Sequence, residues 1–157
     1  MYPSVEFNPD FIVSSAAGEK QLLVEVKKWL PLPIQSGLAA WIAKERRRLA
    51  LPESYVLLVT PEKMTLWPPP STSAARSATY SVPARDVLAA YLSVERYPLA
   101  SLNEQELSSV VSAWLGSVMF KPKATLLENP AQAWLVQSGL HSAIYRGFIR
   151  RQTAVSQ

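Results

Sequence analysis

The chain has 157 residues, of which 48% are hydrophobic and 18% are charged, with a formal net charge of +4. This composition predicts one folded domain with an apolar core and excludes global disorder. The absence of cysteine excludes disulfides and zinc–thiolate sites, and a single histidine excludes a multi-histidine metal site. A metal site would therefore need carboxylates, which suit Mg²⁺ or Mn²⁺.

The first half of the chain alternates between strand and helix signals. Runs of β-forming residues, one apolar helical repeat and punctuating prolines predict the order strand, strand, helix, strand, strand. These elements are expected at about 10–14, 22–27, 36–51, 55–60 and 64–67. Ser36 is the expected N-cap of the helix. The fourth element is continuously apolar, as is typical of a buried parallel strand.

The second half is predicted to be mainly helical. Residues 68–83 are rich in proline, serine, threonine and alanine, which predicts a mobile loop. A helix is expected at about 84–92, and a stronger one begins at a capping box formed by Ser101 and Glu104. A last helix is expected at about 131–146.

The chain therefore predicts an α/β fold with a mixed central sheet and additional C-terminal helices packed on it. We expect a single domain over residues 1–150 and a polar tail over 151–157. No apolar run is long enough to span a membrane and no secretory signal is evident, so a cytoplasmic protein is expected.

Three charged residues of the first two strands are expected to converge. If the loop between the strands is even-numbered and centred on Ala17-Gly18, facing residues have numbers that sum to 35. Asp10 then lies opposite Glu25, and Lys27 shares their face. Two carboxylates so close repel each other, and a divalent cation between them would remove that cost. The Val26 carbonyl is a third candidate ligand.

The string PDFIV, followed by a glycine turn and LLVEVK, resembles the catalytic hairpin of the PD-(D/E)XK, or restriction-endonuclease-like, nuclease superfamily. The resemblance implies a restriction-endonuclease-like mixed sheet with flanking helices. It implies that Asp10 and Glu25 hold Mg²⁺ and that Lys27 assists the attacking water. The segments YVLLVTPEKMTLW and WLVQSGL are similar to those of an uncharacterised group of small bacterial endonuclease-like proteins.

Several cations and aromatic residues are candidates for nucleic-acid contact. Lys44 and Arg48 lie one helical turn apart and are the favoured phosphate ligands, whereas Arg46 and Arg47 are expected in a solvated helix end. Many superfamily members carry a glutamine on this helix, where this chain has Lys44 and Arg48 instead. Of five tryptophans, only Trp29 is a candidate for stacking on a base, and the others are expected in the core. His141, the single histidine, is expected to be structural or surface-placed.

The leading hypothesis is Mg²⁺- or Mn²⁺-dependent hydrolysis of DNA phosphodiester bonds, with DNA as partner and a twofold homodimer if both strands are cut. The first alternative is a catalytically inactive scaffold that binds nucleic acid or a protein. A third class is an assembly or regulatory subunit whose tryptophan-rich helices form an interface.

Overall fold

A computed structural model describes residues 9–30, 37–70, 80–92 and 98–152. The strands are β1 (Phe11–Ser14), β2 (Lys20–Val26), β3 (Tyr55–Val59), β4 (Lys63–Trp67), β5 (Tyr80–Pro83) and β6 (Phe148–Arg151). The helices are α1 (Leu38–Arg48), α2 (Ala84–Leu88), α3 (Glu104–Val118), α4 (Lys123–Leu127), α5 (Ala133–Gln137) and α6 (Leu140–Ile144). Two 3₁₀ turns span Ala89–Tyr91 and Leu99–Ser101.

The six described strands form one mixed sheet in the order β5-β4-β3-β2-β1-β6. Among these strands, only β2 and β3 run parallel, and α1 lies between them in the chain. A parallel pair requires a crossover connection, and α1 occupies that place. The predicted α/β class with a mixed central sheet is confirmed.

The sheet is covered on both faces, which is why β3 is buried throughout and β2 is buried from Leu22 to Val26. We call the side on which α1 packs the α1 face; its cluster comprises Leu23, Leu30, Trp41, Ile42, Val56, Leu58 and Trp67. The opposite face carries the larger core, where the C-terminal helices contribute buried side chains such as Trp114, Leu135 and Leu140. The prediction that these helices pack on the sheet is therefore confirmed.

Helix α1 begins at Leu38 and ends at Arg48, slightly earlier than the predicted end at residue 51. The residue at its N-cap position is Gly37, which makes no side-chain cap, and the predicted cap Ser36 lies outside the described residues. The expected solvation of Arg46 is wrong, because this side chain is only 6% exposed. Arg47 is exposed, as predicted.

Arg46 ties α1 to the end of β4. One of its terminal nitrogens donates to the carbonyl oxygens of Trp67 and Pro68, at 3.0 and 2.9 Å. Burial lowers the pKa of the Arg46 guanidinium, and the nearby Glu53 carboxylate partly offsets this effect. An arginine pKa starts so high that the group remains charged at neutral pH, so each hydrogen bond is charge-assisted.

We expect Arg46→Met to lower the free energy of unfolding by about 2 kcal/mol, because two main-chain carbonyls lose a charged donor. The exposed neighbour offers a matched control, since Arg47→Met should stay within about 0.5 kcal/mol of the wild type. Urea denaturation measures both values. Equal stability of the two variants would show that the bonds from Arg46 contribute no net stability.

The second half departs from prediction at helix ends and sheet edges. The capping box of α3 is formed by Asn103 and Glu106, not by Ser101 and Glu104. The Ser101 hydroxyl instead donates to the Pro98 carbonyl at 2.7 Å and closes a 3₁₀ turn. Physically, the competing local turn removes Ser101 from the cap position.

The predicted helix at 131–146 is two short helices, α5 and α6. Gly139 separates them with φ +85°, a left-handed conformation that ends a helix. The predicted loop over 68–83 is wrong at its end, where residues 80–83 form β5, and residues 71–79 lie outside the described residues. Arg151, predicted to lie in the tail, belongs to β6.

Four tryptophans are buried, as predicted. Trp114 and Trp134 stack with ring centroids 6.1 Å apart, and Trp41 and Trp67 lie in the cluster on the α1 face. The third hypothesis needed tryptophan-rich helices at the surface, and these helices use their tryptophans for the core. Trp29 differs, with 70% of its surface exposed.

Within the described parts of the chain, no helix combines the length and apolarity needed to cross a membrane.

Candidate metal centre

The predicted register of the first hairpin is confirmed over residues 11–13, but the predicted pair of Asp10 with Glu25 is not among the paired residues, and the Asp10 N–H donates to the Val24 carbonyl. Phe11 pairs with Val24, and the next two pairs along β1 also have numbers that sum to 35. The even loop from which this register was predicted is wrong, because Ser14 pairs with Lys20 and the loop is one residue shorter. An irregularity between Val13 and Ser14 compensates for the missing loop residue. The predicted pairing of residues 11–13 therefore holds although the loop does not have the predicted even length.

Asp10 lies at the start of β1, one residue before the paired segment. Its main-chain N–H donates to the Val24 carbonyl at 2.7 Å, and its carbonyl accepts from Gln152 N–H at 2.8 Å. Its carboxylate oxygen Oδ2 accepts the N–H of Val26 at 2.8 Å. The main chain of Asp10 is therefore held from both sides, and its carboxylate lies beside Val26, the last residue of β2.

Glu25 and Lys27 continue the α1 face of β2. Leu23 belongs to the cluster on that face, and strand alternation places Glu25 on the same side, where it is only 1% exposed. The N–H of Lys27 donates to the Val59 carbonyl at 2.9 Å, so the strand geometry extends to Lys27. Its side chain is half-buried.

Ile12, two residues after Asp10, packs against the α1-face cluster, but the ladder is irregular at Asp10, because Asp10 N–H donates to the same Val24 that pairs with Phe11. The N–H and C=O of one strand residue point to the same edge, so the Val26 carbonyl faces the side where the Asp10 carboxylate lies. The hairpin thus brings two carboxylates and one main-chain carbonyl to one end of β2. All three donors are oxygens, which fits a hard cation such as Mg²⁺.

The described residues contain no group of three or more His, Cys, Asp or Glu side chains able to hold a metal. A metal bound at this end of β2 would therefore have at most two carboxylates as side-chain ligands. Mg²⁺ commonly keeps several waters and uses one or two carboxylates together with substrate phosphates, so a pair of acids is compatible with its chemistry.

Lys44 and Arg48 lie on the solvent side of α1, since Glu45 and Arg46 occupy its buried side. Lys44 is exposed. Arg48 donates through Nε to the Glu45 carboxylate at 2.5 Å, which engages part of its guanidinium. The role of both residues in DNA binding stays a prediction.

The single histidine is a core residue. His141 is 5% exposed, and its Nε2 lies 2.8 Å from the Lys121 carbonyl oxygen. A carbonyl can only accept, so Nε2 carries the proton and donates. The ring also packs against Tyr145, with centroids 4.9 Å apart. The structural placement predicted for His141 is confirmed.

Comparison of the chain with models of known protein families, with curated proteins and with solved structures gives no match. The hairpin and its surroundings are therefore the basis for proposing a function.

Proposed function

We propose that this protein is a cytoplasmic, Mg²⁺- or Mn²⁺-dependent nuclease with a restriction-endonuclease-like fold that hydrolyses phosphodiester bonds in DNA. The observation that carries the proposal is the hairpin register. It supports a site in which Asp10, whose carboxylate accepts the Val26 N–H, lies at the end of β2 that carries Glu25, with Lys27 directly after the strand. This agrees with the PD-(D/E)XK resemblance of the sequence.

In the proposed site, Asp10, Glu25 and the Val26 carbonyl hold the cation. A bound Mg²⁺ or Mn²⁺ lowers the pKa of coordinated water and stabilises negative charge on a phosphoryl oxygen. Lys27 donates a hydrogen bond to the attacking water or to the phosphate and balances the charge that develops there. The hydrogen bond from Val26 N–H fixes the Asp10 carboxylate before any ligand arrives.

DNA would approach from the α1 side, where Lys44 is exposed and Arg48 is 41% exposed over its side chain. Both would bind phosphates, which position the duplex without reading its sequence. Cleavage of both strands would require two copies of the site, and a twofold homodimer supplies them.

A catalytically inactive scaffold that binds nucleic acid or a protein partner is the second candidate. Two observations favour it: Glu25 is 1% exposed, and no third acidic side chain joins the pair among the described residues. A nuclease needs a cation and water at this carboxylate, whereas a scaffold does not. Metal binding therefore separates the two functions.

The first test measures metal-linked stability. A cation that binds only the folded state at about 100 times its Kd adds about 2.7 kcal/mol. For a chain of this size, that raises Tm by roughly 5–10 °C. We expect Mg²⁺ or Mn²⁺ to stabilise the wild type in this way and Asp10→Asn to lose most of the gain.

Asparagine can still accept the Val26 N–H through its amide oxygen, so Asp10→Asn should keep its fold. Asp86→Asn, which neutralises an exposed carboxylate on α2, is the matched control and should retain the full shift. Plasmid nicking with Mn²⁺ is measured on the same three proteins. No shift in the wild type at any metal concentration would favour the scaffold.

A further inference from the structure

A pocket of about 500 Å³ opens where β2 and β3 end and β4 begins. Its volume is in the range of small-molecule sites, roughly 300–1,000 Å³. The lining combines one exposed indole, two lysines, apolar side chains and a few polar groups. The lining includes Lys28, Trp29, Leu58, Thr60, Glu62 and Lys63.

Trp29 forms an exposed aromatic wall on an anchored main chain. The N–H of Lys28 donates to the Glu104 carboxylate of α3 at 3.1 Å, and Leu30 is buried in the α1-face cluster. The residues on both sides of Trp29 are thus held, while its own side chain is 70% exposed. An exposed indole on a fixed backbone costs less conformational entropy when it binds a flat ligand.

The pocket adjoins the candidate metal centre. Glu25 pairs directly with Leu58 on the neighbouring strand, and Leu58 lines the pocket. Adjacent strands lie about 4.8 Å apart. Lys27 and Lys28 are consecutive, so the chain leaves the metal centre and enters the pocket wall within one residue.

The chemistry of the lining favours a flat ligand that has polar edges and carries a negatively charged group. An indole face stacks on nucleobases regardless of their identity. The exposed Lys28 and Lys63 supply positive charge for flanking phosphates, and Glu62 and Thr60 offer acceptors for the polar edge of a base. An apolar peptide would leave these charged groups without partners.

We propose that this pocket binds an unpaired nucleobase of the DNA strand, stacked on Trp29, so that the protein prefers single-stranded or locally unpaired DNA. The inference rests on the proposed nuclease function, because it names the substrate class of the same site. A base within a duplex is stacked on its neighbours and cannot enter the pocket without being extruded.

The test is a binding titration by fluorescence anisotropy in EDTA, where cleavage does not occur. The probes are a single-stranded oligonucleotide, its duplex, and a strand of abasic nucleotides of the same length. The wild type should bind the strand with bases about 5- to 100-fold more tightly than the abasic strand, and Trp29→Ala should lose that preference. Trp29→Phe should restore most of it.

Two further variants separate stacking from charge. Phe148→Ala removes another exposed aromatic side chain, on the edge strand β6, and should bind like the wild type. Lys63→Ala should reduce the salt dependence of binding to the single strand by about 0.7 in the log–log slope, while Trp29→Ala leaves the slope unchanged.

The proposal is overturned if folded Trp29→Ala keeps the preference for bases, or if the wild type prefers the duplex or binds none of the probes. Base-dependent binding without cleavage in Mg²⁺ or Mn²⁺ would reject the nuclease function and leave the base pocket standing. Cleavage by wild type and Trp29→Ala alike, with no preference for bases, would reject the pocket alone.

Discussion

Lys27→Ala should reduce DNA cleavage by about 10²- to 10⁴-fold, the usual contribution of a positioned proton-transfer or charge-balancing group. Metal and DNA affinities should change little, because the contribution of Lys27 appears mainly in the transition state. The N–H of Lys27 pairs with the Val59 carbonyl through the main chain, which alanine preserves. The measurement is plasmid nicking with Mn²⁺ beside a DNA-binding titration.

Lys20 provides the matched control, since it is an exposed lysine at the opposite end of the same strand. Lys20→Ala changes the net charge equally and should cut at the wild-type rate. If Lys27→Ala also cuts at the wild-type rate, the activity belongs to another site or to a contaminant. Lys44→Ala and Arg48→Ala should have the reverse effect, weakening DNA binding and its salt dependence.

Gly147→Ala should lower the free energy of unfolding by about 3 kcal/mol, at the upper end of the usual range for overpacking. A Cβ at Gly147 would lie 1.8 Å from the Ser14 carbonyl oxygen and 3.0 Å from that of Ile144. Both are main-chain atoms, so no side-chain rotation relieves the clash. The start of β6 would have to move away from β1, and urea denaturation measures the loss.

Gly116→Ala gives the opposite expectation on the same chain. Gly116 lies in the exposed part of α3, and a Cβ there meets nothing within 4 Å. Alanine should therefore stabilise the protein by about 0.5–1 kcal/mol, since glycine is a poor helix former. A Gly147→Ala variant as stable as the wild type would contradict the described pairing of β6 with β1.

The edge strand β6 also bears on the candidate metal centre. Gln152 N–H, just past β6, donates to the carbonyl of Asp10, the residue whose carboxylate accepts the Val26 N–H. The support of Asp10 therefore comes from both ends of the chain. Gly147→Ala should for this reason weaken metal-linked stabilisation as well as the fold.

The local sequence pattern was sufficient to predict each segment whose burial is decided by its own side chains. The strand segments around Phe11, Leu23 and Leu57 are β-forming and apolar, and all three residues are buried in the sheet. The prediction that Asp10 and Glu25 share one face also follows from alternation within a hairpin. These features require only the period of a strand and the position of a turn.

Edge strands were missed because their burial pattern is weak. β5 alternates between partly buried and exposed residues, and β6 is exposed at all positions except Ile149 and contains Arg150 and Arg151. Such segments resemble loops in isolation, because their main-chain hydrogen bonds are supplied by a neighbouring strand. Charged residues on an edge also protect it against pairing with another chain.

The sequence by itself determined the α/β class and the burial of four tryptophans, since both depend on the period of apolar residues along one element. The pairing of residues 11–13 agrees with prediction only because an irregularity in β1 offsets the wrong loop length. The tertiary structure alone decided that Arg46 enters the core while Arg47 stays in solvent, because the acceptors at Trp67 and Pro68 come from a strand about twenty residues away. It also decided the pocket beside Trp29, whose walls come from the segment after β2, from α1, β3 and β4, and from the 3₁₀ turn at Leu99–Ser101. Contacts between distant segments leave no periodic signal in either segment, so only the folded chain reveals them.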